Sequence, residues 1–188
     1  MSQKLDFSPS NSFVIAIIAA LLLTIMGAIV AMWYLRAFTQ TEVKTGVSEP
    51  YHIAYILNIG SYDRINGVFE EVAMHLRQAN IEPGIPSVLL MDGADIHESE
   101  RRSKVGYLIS RHMRVPAPLE SETLPQREVV IATFRGGVTT GSYRGYQAMS
   151  EWAKKHGYRL SLPALEIYHQ NEVTEYQLGI SGVADKQP

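Results

Sequence analysis

The chain has 188 residues, with 17 Lys and Arg against 19 Asp and Glu and a net charge of −2. That balance leaves no electrostatic footprint for nucleic acid, and neither a basic amphipathic helix nor a helix-turn-helix pattern occurs. The absence of cysteine excludes disulfides and thiolate chemistry.

A polar tail over 1–12 precedes the first element. Phe13–Leu35 (FVIAIIAALLLTIMGAIVAMWYL) carries no charge. As a helix it would be about 35 Å long, enough for a ~30 Å hydrocarbon core. Trp33 and Tyr34 sit where an interfacial aromatic belt belongs, and Arg36 follows. A cleaved signal sequence would have a shorter apolar run ending in a small-x-small site, which Met32-Trp33-Tyr34 is not. The segment therefore predicts a single-pass transmembrane helix over 13–35, with the lipid bilayer as a partner. Lys and Arg are nearly even on its two flanks, so the positive-inside rule returns a tie on orientation. Residues 36–50 are polar and show neither helical nor strand periodicity, which predicts a linker or tether. The remainder, 51–188, is one ordinary domain's worth of chain.

Within that domain the pattern is written twice, over about 51–112 and 125–181. An apolar run, Ile53–Ile59, leads to Gly60-Ser61-Tyr62; a second, Val129–Phe134, leads to Gly141-Ser142-Tyr143. Each is followed by apolar residues at helical spacing: Ile65, Val68, Phe69, Val72 and Leu76, then Tyr146, Met149, Trp152 and Ala153. Each helix gives way to a proline-led strand (Ile85–Met91, Leu162–Tyr168), and each half closes on Ile-Ser, at Ile109-Ser110 and Ile180-Ser181. These features predict an α+β fold: a duplicated βαββ unit whose two pseudo-symmetric halves form one antiparallel sheet with helices on one face. The other face is expected to stay open and to form a ligand cleft where the halves meet.

In the second proline-led strand, Leu165 and Ile167 share one face and Ala164, Glu166 and Tyr168 the other. Leu165 and Ile167 are the expected core face. Glu166 then points away from that core beside a small residue and a phenol. It is either a solvent-facing side chain on an open sheet or the anchor of a ligand pocket, where an ionised carboxylate must be paired, solvated or free to take a cation. Aromatic faces would add cation–π attraction, and Tyr168, Tyr143, Tyr62, Trp152 and Tyr55 are the candidates. Trp152 and the two Gly-Ser-Tyr tyrosines read equally well as packing between helix and sheet. Metal binding fails on spacing. None of the six histidines forms His-x-x-x-His, and Asp92, Asp95, His97 and Glu98 lack calcium-loop register. No metal and no cofactor are expected. Arg101, Arg102 and Lys104, close to Glu98 and Glu100, read as a solvated loop.

Gly141-Ser142-Tyr143, a helix containing Trp152, Gly157 and then Pro163-Ala164-Leu165-Glu166-Ile167-Tyr168 resemble the GyrI-like small-molecule-binding domain of multidrug-sensing regulators, over roughly Tyr51–Ser181. The resemblance implies the duplicated βαββ fold and a pocket glutamate among aromatic side chains that engages lipophilic cations. It carries that role to Glu166 and, less directly, to Tyr168. Some members of this family hydrolyse cyclopropanoid compounds with a pocket Glu, which makes a hydrolase with Glu166 as general acid or base the alternative to a binding domain. An apolar helix stands where the regulators carry a DNA-binding segment, so transcriptional control is not implied. Family habit favours the cytoplasmic side of the membrane. A third reading is an adaptor that recruits a protein partner, whose identity the sequence leaves unknown.

Overall fold

The computed structural model describes residues 11–37, 41–110 and 113–183. The expected tail lies, up to residue 10, outside them. The chain divides into two compact units, one up to residue 40 and one from residue 41 onward.

The first unit is a single helix, α1 (Asn11–Ala37). Its side chains from Phe13 to Met32 are all exposed, and this stretch is long and apolar enough to cross a membrane. The Thr24 hydroxyl donates to the Ala20 carbonyl of the same helix (2.9 Å), so its one polar side chain there needs no outside partner.

The second unit contains β1 (Glu42–Val47), β2 (Tyr51–Ile59), α2 (Ile65–Gln78), β3 (Ile85–Leu90), β4 (Arg102–Leu108) and β5 (Glu120–Leu124). It continues with β6 (Glu128–Arg135), α3 (Val138–His156), β7 (Tyr158–His169) and β8 (Val173–Val183). All eight strands form one antiparallel sheet in the order β1-β6-β8-β7-β3-β4-β2-β5. The two halves, β2-α2-β3-β4 and β6-α3-β7-β8, meet at the β3–β7 pair, so the fold is the α+β duplication the sequence predicts. Val72 and Leu76 of α2 pack on Ala54, and Met149 of α3 packs on Val130, Ala132 and Phe134. Cross-strand neighbours run in one line through Ala132, Tyr176, Glu166, Val88, Val105 and Ile56. Directly opposed residues of an antiparallel pair share a face. Both helices therefore cover the same side.

Several local expectations are corrected. The linker drawn over 36–50 is mostly ordered: the helix runs to Ala37, and Glu42–Val47 forms β1, antiparallel to β6. β1 is an edge strand whose one inward-packing side chain is Val43, so no alternation betrays it. β5 is the other edge strand. Each βαββ unit is preceded by an edge strand that pairs with the other half, β1 with β6 and β5 with β2. The two Gly-Ser-Tyr triplets are not equivalent, because the first precedes α2 while the second lies inside α3. The equivalent glycines are Gly60 (φ 115°) and Gly136 (φ 140°), which end the first strand of each half in a conformation side-chain-bearing residues rarely adopt. Arg102 and Lys104 belong to β4, not to a loop. Arg102 forms a bidentate pair with Asp92 (2.8 and 2.9 Å), and Lys104 meets Glu122 at 2.6 Å beneath the Tyr55 ring.

Gly106 lies in β4 between two paired strands, where a Cβ would come within 1.8 Å of the Ala54 carbonyl oxygen and 2.7 Å of the Tyr55 Cα. Gly106→Ala is expected to lower stability by about 2–3 kcal/mol. Gly67, in the first turn of α2 with nothing within 4 Å of its Cβ position, is the control. Gly67→Ala should raise stability by about 0.5 kcal/mol. Urea midpoints with unchanged slope would report both.

Candidate functional site

Glu166 lies near the middle of the sheet, on the helix-covered face, and is 5% exposed. Two phenols reach it. Tyr146, projecting from α3, donates to Oε1 at 2.7 Å, and Tyr168, two residues along β7, donates to Oε2 at 2.5 Å. Among the described residues no cationic side chain pairs with it. Burial raises its pKa, and the two phenol donors oppose that rise. Burial, with the carboxylate adjacent, pushes the Tyr146 and Tyr168 phenols well above their ordinary range, so both keep their protons and remain donors.

The surrounding sequence explains why these groups meet. Gly141 and Gly145 stand one turn apart on α3. A Cβ at Gly145 would lie 2.6 Å from the Tyr176 ring, and one at Gly141 would lie 2.7 Å from both Phe134 and the Tyr176 hydroxyl oxygen. Two glycines thus let α3 settle onto Tyr176, whose ring meets that of Tyr146 edge-on at 5.5 Å. From α2, Phe69 packs edge-on against Tyr168 (5.9 Å) and against Tyr107 (5.7 Å). Each helix therefore braces one of the two phenols.

Next to this network is a cavity of about 650 Å³. Leu90, Ala164 and Leu178 form its floor on the sheet; Tyr62, Tyr143 and Tyr146 supply aromatic walls. Ala164 shares a strand face with Glu166, and Tyr146 belongs both to the cavity wall and to the carboxylate's hydrogen bonds. Glu166 itself is not part of the lining. The loop after β3 adds Asp92 and Arg101. Asp92 is neutralised by Arg102, which holds its carboxyl low, at about 2. Arg101 is turned to the Ile96 and Ala94 carbonyls (2.9 and 3.1 Å). The Tyr62 hydroxyl is buried, with no hydrogen-bond partner among the described residues.

The predicted site residues thus divide. Glu166 and Tyr168 form the network, and Tyr62 and Tyr143 line the cavity, Tyr143 at its rim with 73% exposure. Tyr55 and Trp152 are elsewhere. Tyr55 is on the opposite sheet face, bonded to Glu120, because its neighbour Ala54 is the residue that faces α2. Trp152 stacks between His156 and Tyr158 beside the α3 core. The cavity beside Glu166 lies between α3 and the sheet, on the helix-covered face, and not on the helix-free face where the ligand cleft is expected. Leu165 and Ile167 are buried on the helix-free side with Leu89, where the Gln177 amide reaches the Tyr51 hydroxyl across the two halves (3.2 Å). Tyr146, which helical spacing assigns to the core, is the residue the sequence hid. Its position between Glu166 and the cavity has no signature beyond the small residues Gly141 and Gly145.

A pH dependence follows. A carboxyl whose folded pKa stands above its unfolded value stabilises the fold at low pH, and that contribution is lost as pH rises from the ordinary carboxyl value of 4.5 through the folded value. Glu166→Gln cannot ionise. Its unfolding midpoint should gain on the wild type as pH is raised from 4 towards 8; parallel pH profiles would mean that the carboxyl is not desolvated.

The GyrI-like small molecule binding domain family matches residues 42–180. No curated protein matches the chain. Among solved structures, the EcmrR C-terminal domain aligns with a TM-score of 0.59 at 15% identity, over 77% of this chain and 99% of that one. A protein described as SAV2435 bound to tetraphenylphosphonium aligns at 0.53 and 11%, over 78% and 98%. A structure described as a hydrolase from Listeria innocua aligns at 0.54 and 8%, over 74% and 92%. At these identities the likenesses carry the fold alone.

Proposed function

The chain belongs to the GyrI-like family of small-molecule-binding domains, and from that premise we propose that its cavity takes apolar cations, with Glu166 as the acidic anchor. The observation that carries this reading is a buried carboxylate bonded to two phenols, unpaired with any described cation, beside an apolar cavity. A volume of about 650 Å³ suits a drug-sized molecule. In such low-dielectric surroundings a carboxylate attracts a cation far more strongly than in water. The faces of Tyr62, Tyr143 and Tyr146 would each add about 0.5–2 kcal/mol. Arg101 opposes a positive charge, so a bound cation is drawn towards the Tyr146 wall. The neighbour described with tetraphenylphosphonium holds a cation of this class in a related fold.

In this reading α1 anchors the domain to a bilayer as a single span. An apolar helix with every described side chain exposed from Phe13 to Met32 is costly in water and favoured in hydrocarbon.

A second reading rests on the same carboxyl. Glu166, with its raised pKa between two phenols, has the properties of a general acid or base, and one neighbour is described as a hydrolase. Full-length protein in lipid nanodiscs should bind tetraphenylphosphonium, and Glu166→Gln should weaken it by about tenfold, or 1.4 kcal/mol. Neutral triphenylphosphine oxide should be spared; equal losses for both ligands would refute the electrostatic role. Turnover of strained electrophiles that vanishes in Glu166→Gln, with binding retained, would favour the hydrolase. Retention of a protein partner by Glu166→Gln, with no ligand bound by either protein, would favour an adaptor.

A further inference from the structure

The opposite face of the sheet carries a second cavity, of about 140 Å³, roughly the share of five water molecules. Arg127, Ser48 and Tyr51 contribute polar groups to it, and Leu89, Leu124 and Leu165 give it an apolar wall. Arg127 occupies the connection between β5 and β6. Its Nη2 donates to the Pro163 carbonyl oxygen (2.6 Å), and Nη1 lies beside Gly179, where a Cβ would sit 3.5 Å away. Among the described residues no carboxylate pairs with this guanidinium. Glu175, on the same face, is held by the Gln177 amide at 2.6 Å. A guanidinium has five N–H donors, and one carbonyl cannot satisfy them. Burial draws the Arg127 pKa down, with nothing opposing it.

The other two polar groups keep protons to give. The Ser48 hydroxyl oxygen accepts the Arg127 backbone N–H (3.1 Å), and the Tyr51 hydroxyl oxygen accepts from Gln177 (3.2 Å). Ser48 is 5% exposed and Gln177 1%, while Tyr51, Leu124 and Arg127 are half-buried, so the recess has a buried floor beneath an open mouth. Three donor groups with protons to give, one of them cationic, thus face a space whose remaining wall is aliphatic apart from the Gln177 amide.

We propose that this second cavity binds a small organic carboxylate, its head group on Arg127, Tyr51 and Ser48 and its apolar body against Leu89, Leu124 and Leu165. A bidentate guanidinium–carboxylate pair fixes the head, and the cavity's size limits the body to a short chain or a single ring. The site is separate from the Glu166 cavity, on the other face of the sheet, and takes the opposite charge.

The probe is sodium benzoate, titrated at constant ionic strength against chloride into the full chain in nanodiscs, with the thermal midpoint as readout. A saturable rise with millimolar half-saturation is expected. Arg127→Gln should weaken the response at least about tenfold. That variant also loses the Pro163 contact, so Leu124→Trp, which keeps the guanidinium and fills the cavity, is the second arm and should abolish the response. Glu166→Gln should respond like the wild type, which separates this site from the cation reading. No saturable response in the wild type, or an undiminished one in both Arg127→Gln and Leu124→Trp, overturns the proposal. An equal response to inorganic phosphate overturns the assignment to organic acids.

Discussion

The structure turns on one carboxylate held out of water by two phenols. Removing an ionised carboxylate from water costs several kcal/mol even after relaxation. Two hydrogen bonds to neutral donors offset part of that cost, and the remainder keeps the Glu166 pKa above its ordinary value. The row of cross-strand neighbours through Ala132, Tyr176, Glu166, Val88, Val105 and Ile56 is otherwise apolar apart from the Tyr176 hydroxyl. A hydrophobic residue would suit the fold better there. Retaining an acid there, at 5% exposure, is a local conflict between residue type and surroundings.

The duplication supplies the means. Each half contributes one helix to the same face, and each helix braces one phenol, α3 by carrying Tyr146 and α2 through Phe69 against Tyr168. The scaffold is symmetric and the chemistry is not: across the central strand pair, Glu166 of β7 faces Val88 of β3. A pseudo-two-fold shell thus gives rigid support from both sides, while the acid is present only once. The exchange of β1 and β5 between halves ties them further, since neither half completes its sheet without a strand lent by the other.

How much of this the sequence carried depends on the periodicity of each element. Helices with a buried stripe, such as Val72 and Leu76 of α2, are visible at a spacing of three and four residues. Strands inside the sheet are visible as apolar runs. The alternation in β7 separates Glu166 from Leu165 and Ile167 correctly, but alternation assigns residues to two faces without saying which face the helices cover. Alternation therefore does not tell which face carries the cavity beside Glu166. Edge strands β1 and β5 bury too few side chains to show a pattern. Residue type alone draws Tyr55 and Trp152 to the site, yet a strand residue one position off faces the other way, and an aromatic ring near a helix end finds stacking partners nearby. Tyr146 was read as core because it is at core spacing; what distinguishes it is a hydroxyl group reaching a residue twenty positions away.

β7 is the strand through which both faces act. Pro163 gives its carbonyl to Arg127 on the helix-free side, and Ala164, the next residue, lines the helix-side cavity two positions from Glu166. This is also where pairing between β7 and β8 shifts register, between Ser161 and Leu165, and where pairing of β7 with β3 begins. Pro163 lacks an N–H for the ladder, and a bulge is the place in a sheet where that lack costs least. The irregularity leaves its carbonyl free to accept a side-chain donor, while Leu160 before it and Ala164 and Glu166 after it all keep to the helix-covered face. One break in the ladder therefore anchors a cation on one face without disturbing the side on which β7 presents its acid.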